Sequence, residues 1–174
     1  MSTIGWFHLA AAILSIVSGA FVLLYTKKGT RFHRQAGWVF VVSMLLANGT
    51  ALSIYRLFHG FGPFHVFAIV SLASLTAATL AAITARKARV AKDRAKREKF
   101  VAVHYRSMSY TYAGLMAAFV SEVATRLPAT RPAPGQGLAF GLAVGAATFG
   151  VMAVGAWLVH ARAAKSLAPF TLQT

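Results

Sequence analysis

Imidazole is the main metal-binding and proton-handling group this chain offers: it carries six histidines, three acidic residues and no cysteine. Without thiols, disulfides, thiol catalysis, iron–sulfur clusters and covalent c-type haem attachment are excluded, so a metal would rest on His or oxygen ligands. Four of the histidines recur in similar settings. His8 stands in Phe7-His8-Leu9-Ala10-Ala11 and His65 in Phe64-His65-Val66-Phe67-Ala68, while His33 stands in Phe32-His33-Arg34 and His104 in Val103-His104-Tyr105-Arg106.

Each of these motifs opens a long apolar stretch, and the directions of the stretches sort the histidines into two layers. His8 and His65 lie about one turn inside an outer helix start, and His33 and His104 lie near an inner one. One histidine per layer from each of two helical hairpins suits bis-imidazole ligation of haem, in which the iron takes two axial nitrogens from facing helices. The expected pairs are His8 with His65 and His33 with His104, giving two b-type haems stacked across a bundle. His8 to Tyr25 alone covers about 25 Å of helix axis, which accommodates that stacking. Small residues follow the ligands on their own faces: Ala11, Ala12, Ser15 and Gly19 after His8, and Ala36 and Gly37 after His33. Arg34 and Arg106 are expected near the inner propionates, and Arg56 or Arg126 near the outer ones. His59, in Phe58-His59-Gly60, is the alternative outer ligand, and His160 has no repeat partner.

The elements that must position these groups are membrane helices. The chain of 174 residues is 57% hydrophobic and only 12% charged, against about a quarter charged in soluble domains. A spanning helix needs roughly 20 apolar residues. The expected architecture is all-α and polytopic: a single domain over residues 1–174, with five transmembrane helices at about 4–26, 31–57, 63–86, 100–126 and 137–161. The first four make a core of two hairpins and the fifth is a glycine-rich addition. No basic n-region precedes the first stretch, and Lys27-Lys28 follow it directly, so it reads as a retained helix rather than a signal peptide.

The formal net charge of +15 is distributed by topology. Lys27, Lys28, Arg31 and Arg34 fill the first connection, eight basic residues lie between Arg86 and Lys99, and Arg162 and Lys165 follow the last helix, whereas the other two connections hold only Arg56, Arg126 and Arg131. By the positive-inside rule the N-terminus is outside and the C-terminus cytoplasmic, in a bacterial inner membrane. The charge then speaks for anionic lipid and not for nucleic acid. The basic connection 86–99, rich in Ala, Lys and Arg, is expected to extend helix three, helix four or both. Pro128, Pro132 and Pro134 make Leu127 to Gly137 an outer loop.

Glu122 is the one acid within an apolar stretch, five turns after His104 on the same face. It is either a proton acceptor near the outer site or, as the spacing favours, the i+4 partner of Arg126. Gly137, Gly141 and Gly145, with Gly150 and Gly155 beyond, form a small-residue stripe for packing on the bundle, on a second copy or on a larger membrane complex. Tyr105, Tyr110, Tyr112, Trp6, Trp38 and Trp157 suit interfacial belts, on which a quinone could also stack. Nucleotide loops, nucleophile elbows and paired carboxylates are absent from the sequence, so hydrolase, kinase and ATPase readings have no support.

The run Lys28-Gly29-Thr30-Arg31-Phe32-His33-Arg34-Gln35-Ala36-Gly37, followed by Met44, resembles the KGT-x-x-HR-x-x-G…M signature of bacterial membrane proteins grouped as domain of unknown function 2306. His8, Phe64-His65, His104 with Met108, and Arg126 are similar to that family's recurring positions, and the likeness covers residues 6 to 126. It implies membrane topology and marks the histidines, with no activity attached. The layered histidines also resemble the four-helix core of di-haem b-type cytochromes, although each ligand here sits at its own helix start. The expected function is transmembrane electron transfer, as a component of a membrane oxidoreductase exchanging electrons with a quinone or other redox partner. The alternatives are a His8, His59 and His65 site for zinc or copper, which imidazole suits, and an accessory or scaffold subunit.

Overall fold

The computed structural model describes residues 2–54, 60–126 and 136–171, and every regular element in them is helical: α1 (Thr3–Leu24), α2 (Arg31–Ala51), α3 (Pro63–Val90), α4 (Arg94–Arg126) and α5 (Gly137–Leu167), closed by a 3₁₀ turn at Ala168–Phe170. His59, Arg56, Arg131 and most of the proline-rich outer loop lie outside the described residues.

Local chemistry sets several of the helix ends. Ser2 caps α1 by accepting from the Gly5 amide, and Thr30 caps α2 by accepting from the His33 amide. Between α3 and α4 the basic connection is reduced to three residues. The amide of Asp93 bonds the Ala88 carbonyl and that of Lys92 the Arg89 carbonyl, with Lys92 left-handed at φ 58°. This is a Schellman ending in which lysine takes the place usually held by glycine. The Asp93 side chain then accepts from the Lys96 amide and starts α4. Both helices therefore continue through the basic run.

α1 packs on α2 and α4, α2 on α3, and α3 on α4, so the first four helices form a ring in which α1 faces α3 and α2 faces α4 across the diagonals. α5 packs on α4 from outside that ring. The ring closes on Phe40, Val41, Met44 and Leu75, backed by Met108, Tyr112 and Leu115. The α3 side of the α3–α4 seam carries buried alanines, Ala78, Ala81, Ala85 and Ala88, which let the two backbones approach closely, while Ala113 of α4 lies against Gly155 of α5.

Each neighbouring pair of helices is also joined by a polar contact. Ser15 meets Ser43, Asn48 donates to Ser71, Thr111 to Ser74, Tyr112 to the Ile16 carbonyl, and Tyr105 to the Val159 carbonyl, while Ser121 and Thr148 share a hydrogen bond. Large apolar side chains point the other way: Phe149 is 73% exposed and Trp157 67%. Small and polar inside with bulky and apolar outside is the distribution expected where the surrounding solvent is lipid.

Among the described residues, three helices are long and apolar enough to cross a membrane: Thr3–Leu24, Phe64–Val90 and Gly137–Phe170. The sequence reading counted five. α2 and α4, at 21 and 33 residues, have the length. Their apolarity is diluted by Arg34, Gln35, Asn48 and Thr50 in one, and by the basic first turns, several hydroxyls and Glu122 in the other. These are also the two helices that carry His33 and His104.

Candidate functional site

Threonine and backbone carbonyls build the inner site. His33 occupies the third position of α2, where its amide is taken by the Thr30 cap. Its Nδ1 lies 2.9 Å from Thr26 Oγ1. The Thr26 hydroxyl spends its proton on the Val22 carbonyl, so the Nδ1–H of His33 is the donor to Thr26. On α4, His104 Nδ1 lies 3.0 Å from the Ala78 carbonyl of α3. A carbonyl only accepts, so here too the proton sits on Nδ1. In both rings Nε2 is then left with its lone pair.

These two rings meet across the α2–α4 diagonal, with centroids 6.4 Å apart and planes at 87°. The structure thus brings together the two inner residues that the sequence paired. A metal held between two imidazole nitrogens, at bonds of about 2 Å each, separates the ring centres by about 6 Å. A donor hydrogen bond from the far ring nitrogen to an oxygen is the usual second-shell arrangement of a ligating histidine. A Cβ placed on Gly37, one turn after His33, would meet nothing within 4 Å. The donor set, its separation and its tautomers fit two axial ligands of a haem.

Of the two arginines expected at this end, Arg34 acts electrostatically on His33. Arg106 is exposed on α4, and Arg34 donates to the Gly29 carbonyl at 3.3 Å. The cation that interacts electrostatically with both imidazoles is Lys28, which the sequence reading used for topology alone. Its position between the end of α1 and the Gly-Thr cap of α2 was the available signal. Lys28 Nζ donates to the Val22 and Leu23 carbonyls at 2.8 and 3.1 Å, and burial pushes its ammonium below the usual lysine range.

The outer layer is held differently. His8 Nδ1 lies 3.0 Å from the Ala47 carbonyl and 3.1 Å from Thr50 Oγ1, and its Nε2 lies 3.5 Å from Glu122 Oε2. One ring thereby joins α1, α2 and α4. His65 instead serves its own helix: Nδ1 accepts from the Gly62 amide at 3.1 Å and the ring stacks on Phe61 at 5.0 Å. Accepting at Nδ1 puts the proton of neutral His65 on Nε2, so neither nitrogen offers a lone pair to a metal. As packed, the outer pair does not fit axial ligation. Glu122 faces His8 because the ring topology brings the start of α1 against the end of α4, a proximity that helical spacing does not encode; the side chain of Arg126, its expected i+4 partner, lies outside what the structure describes.

The small face of α1 is filled, not open. A Cβ on Gly19 would lie 2.5 Å from Tyr112 Cδ2 and 2.8 Å from Phe40 Cε2, so two rings occupy the space beside that glycine. His160 lies outside the ring, where its Nε2 meets the Tyr110 hydroxyl at 3.0 Å. Of the α5 glycines, Gly155 approaches Ala113 within 2.6 Å of its would-be Cβ, whereas Gly137, Gly141, Gly145 and Gly150 face open space. Among the described residues no group of three or more His, Cys, Asp or Glu is placed to hold a metal ion. The zinc or copper site expected of His8, His59 and His65 includes a residue outside them.

Neither the curated proteins nor the solved structures contain a match to this chain. The family described as "Predicted membrane protein (DUF2306)" matches residues 5–160, a stretch that includes all five helices except the first two residues of α1 and the last turns of α5. The chain belongs to that family of membrane proteins.

Proposed function

We propose that this chain is a membrane-embedded b-type haem protein that moves electrons, with His33 and His104 as the axial ligands of a haem in the inner half of the bundle. The observation that carries the reading is the meeting of these two rings at 6.4 Å, each with Nδ1 donating to an oxygen. Haem supplies four nitrogens of its own, so two protein ligands complete it, and when bound it supplies one-electron exchange.

The chain's own residues do the rest. Thr26 and the Ala78 carbonyl fix both tautomers and the ring orientations, and Lys28 and Arg34 provide positive charge for carboxylate groups at the rim. The proposal includes five spans in a bacterial inner membrane with the C-terminus cytoplasmic, which would put this centre near the cytoplasmic face and within reach of a redox partner there. The buried polar face and exposed apolar face of α2 and α4 support counting them as spans.

The test is an absorption spectrum of the full chain purified in mild detergent from haem-replete cells. A Soret band and a dithionite-reducible alpha band are expected. His33→Ala and His104→Ala should each abolish them, and the double substitution should add little, because two ligands of one iron act as a unit. His65→Ala should leave both bands in place. A colourless wild-type preparation overturns the reading.

A further inference from the structure

We propose that His8 and Glu122 form a proton-exchange site at the end of the bundle opposite the α3–α4 turn. The site is independent of whether the inner pair holds haem.

One side of the His8 ring is fixed. The Ala47 carbonyl can only accept, so Nδ1 of His8 keeps its proton and donates it, with Thr50 Oγ1 as a second acceptor at 3.1 Å. All proton traffic on this imidazole is thereby confined to Nε2, which faces Glu122 Oε2 at 3.5 Å. With neither group protonated, two lone pairs would oppose each other there. One added proton removes that conflict, as imidazolium against carboxylate or as imidazole against carboxylic acid.

The two side chains divide the work by exposure. His8 is 16% exposed and Glu122 31%, so the carboxylate is the more accessible group and the imidazole lies behind it. A proton arriving from water forms an O–H bond at Oε2 or, passed on, an N–H bond at Nε2. Release breaks that same bond and returns the proton to water. The Nδ1–H keeps donating to the Ala47 carbonyl throughout, and no other bond changes.

Among the described residues, few titratable side chains surround the pair. At this level α2 offers no titratable side chain, α3 offers His65, α4 offers Arg126 one turn beyond Glu122 along with Tyr112 deeper in the ring, and α5 offers none. His65 uses Nδ1 on its own helix start. His8 is thus the imidazole that meets the carboxylate, and it belongs to a different helix. Protonation here therefore also sets the attraction between α1 and α4.

The experiment is an infrared pH titration of the full chain in lipid nanodiscs, with Glu122→Gln used to assign the protonated-carboxyl band. In wild type the band should titrate, and the imidazole signals of isotope-labelled His8 should titrate with it at a shared midpoint. His8→Gln should move the Glu122 midpoint by about one pH unit or more, the effect of losing a charge at this range. Lys27→Met, an exposed position at the opposite end of the bundle, should keep the shared midpoint. The proposal is overturned if Glu122 and His8 titrate independently in wild type, or if the Glu122 midpoint follows Arg126→Ala and ignores His8→Gln. The co-titration is read on unmodified protein, so a poorly folding variant does not leave the result open.

Discussion

A lysine ammonium is costly to bury, yet Lys28 is half-buried because it does two things there. Its Nζ satisfies the Val22 and Leu23 carbonyls that α1 leaves open at its end, and it sets positive charge beside the inner imidazoles. Burial lowers its proton affinity from the ordinary 10.5. Between the folded and unfolded values the unfolded chain binds more protons, so stability should rise as pH climbs through that window toward 10.5. Thermal melts in detergent should show this rise in wild type and in Lys27→Met, whose lysine is exposed, and a smaller one in Lys28→Met. Equal slopes in all three would remove Lys28 as the cause. At this scale the four histidines were legible because Phe-His and His-Arg steps recur at helix starts. Their hydrogen-bond partners were not. Ala78 contributes a backbone carbonyl, which no residue type advertises, and Glu122 meets His8 across 114 positions of chain, where the i+4 rule offers only Arg126.

Small residues mean opposite things on different helices, and their neighbours decide which. On α1, Gly19 receives the rings of Tyr112 and Phe40 so closely that an added Cβ would stand 2.5 Å from one of them. Ring atoms in a packed core yield little, and overpacking of this kind costs about 1–3 kcal/mol. On α5, a Cβ at Gly141 meets nothing within 4 Å, and replacing a mid-helix glycine by alanine gains up to about 1 kcal/mol of helix propensity. Gly19→Ala should therefore lower the melting temperature clearly while Gly141→Ala holds or raises it. Similar losses in both would mean that the α5 stripe is also a packed surface. The sequence identified both stripes as close-approach faces but could not say which was filled, because the complementary rings lie on α2 and α4. The same limit affects helix counting. Hydrophobic runs marked all five helices, but α2 and α4 turn their polar residues inward, and composition alone places them below the apolarity of the other three. The α3–α4 turn was hidden for another reason: Lys92 adopts a left-handed conformation that a glycine would have announced.

Across the whole molecule, charge separates the two ends of the bundle far more sharply than shape does. The first connection, the α3–α4 turn and the end of α5 share one end, where Arg97 lies over the ring of Phe170 at 5.4 Å and that ring approaches Gly29. This end holds Lys27, Lys28, Arg31 and Arg34, the eight basic residues from Arg86 to Lys99, and Arg162 and Lys165. At the other end, Arg126 is the one Lys or Arg among the described residues. Lys and Arg near helix ends are retained on the cytoplasmic side during insertion, and an anionic leaflet adds about 1 kcal/mol per residue held at its surface. Translocating the basic end would forfeit that attraction many times over, whereas the opposite end loses little by crossing. The chain has no cysteine, so single thiols can report each end without background. Lys92→Cys and Thr171→Cys should react with a membrane-impermeant maleimide only after spheroplasts are permeabilised. Ser2→Cys and Gln136→Cys should react in intact spheroplasts. Four probes place the ends of four helices: Ser2 the start of α1, Lys92 the α3–α4 turn, Gln136 the start of α5, and Thr171 its end. If Gln136→Cys and Thr171→Cys label alike, α5 does not cross, and if all four patterns invert, the basic end is outside and the charge argument fails.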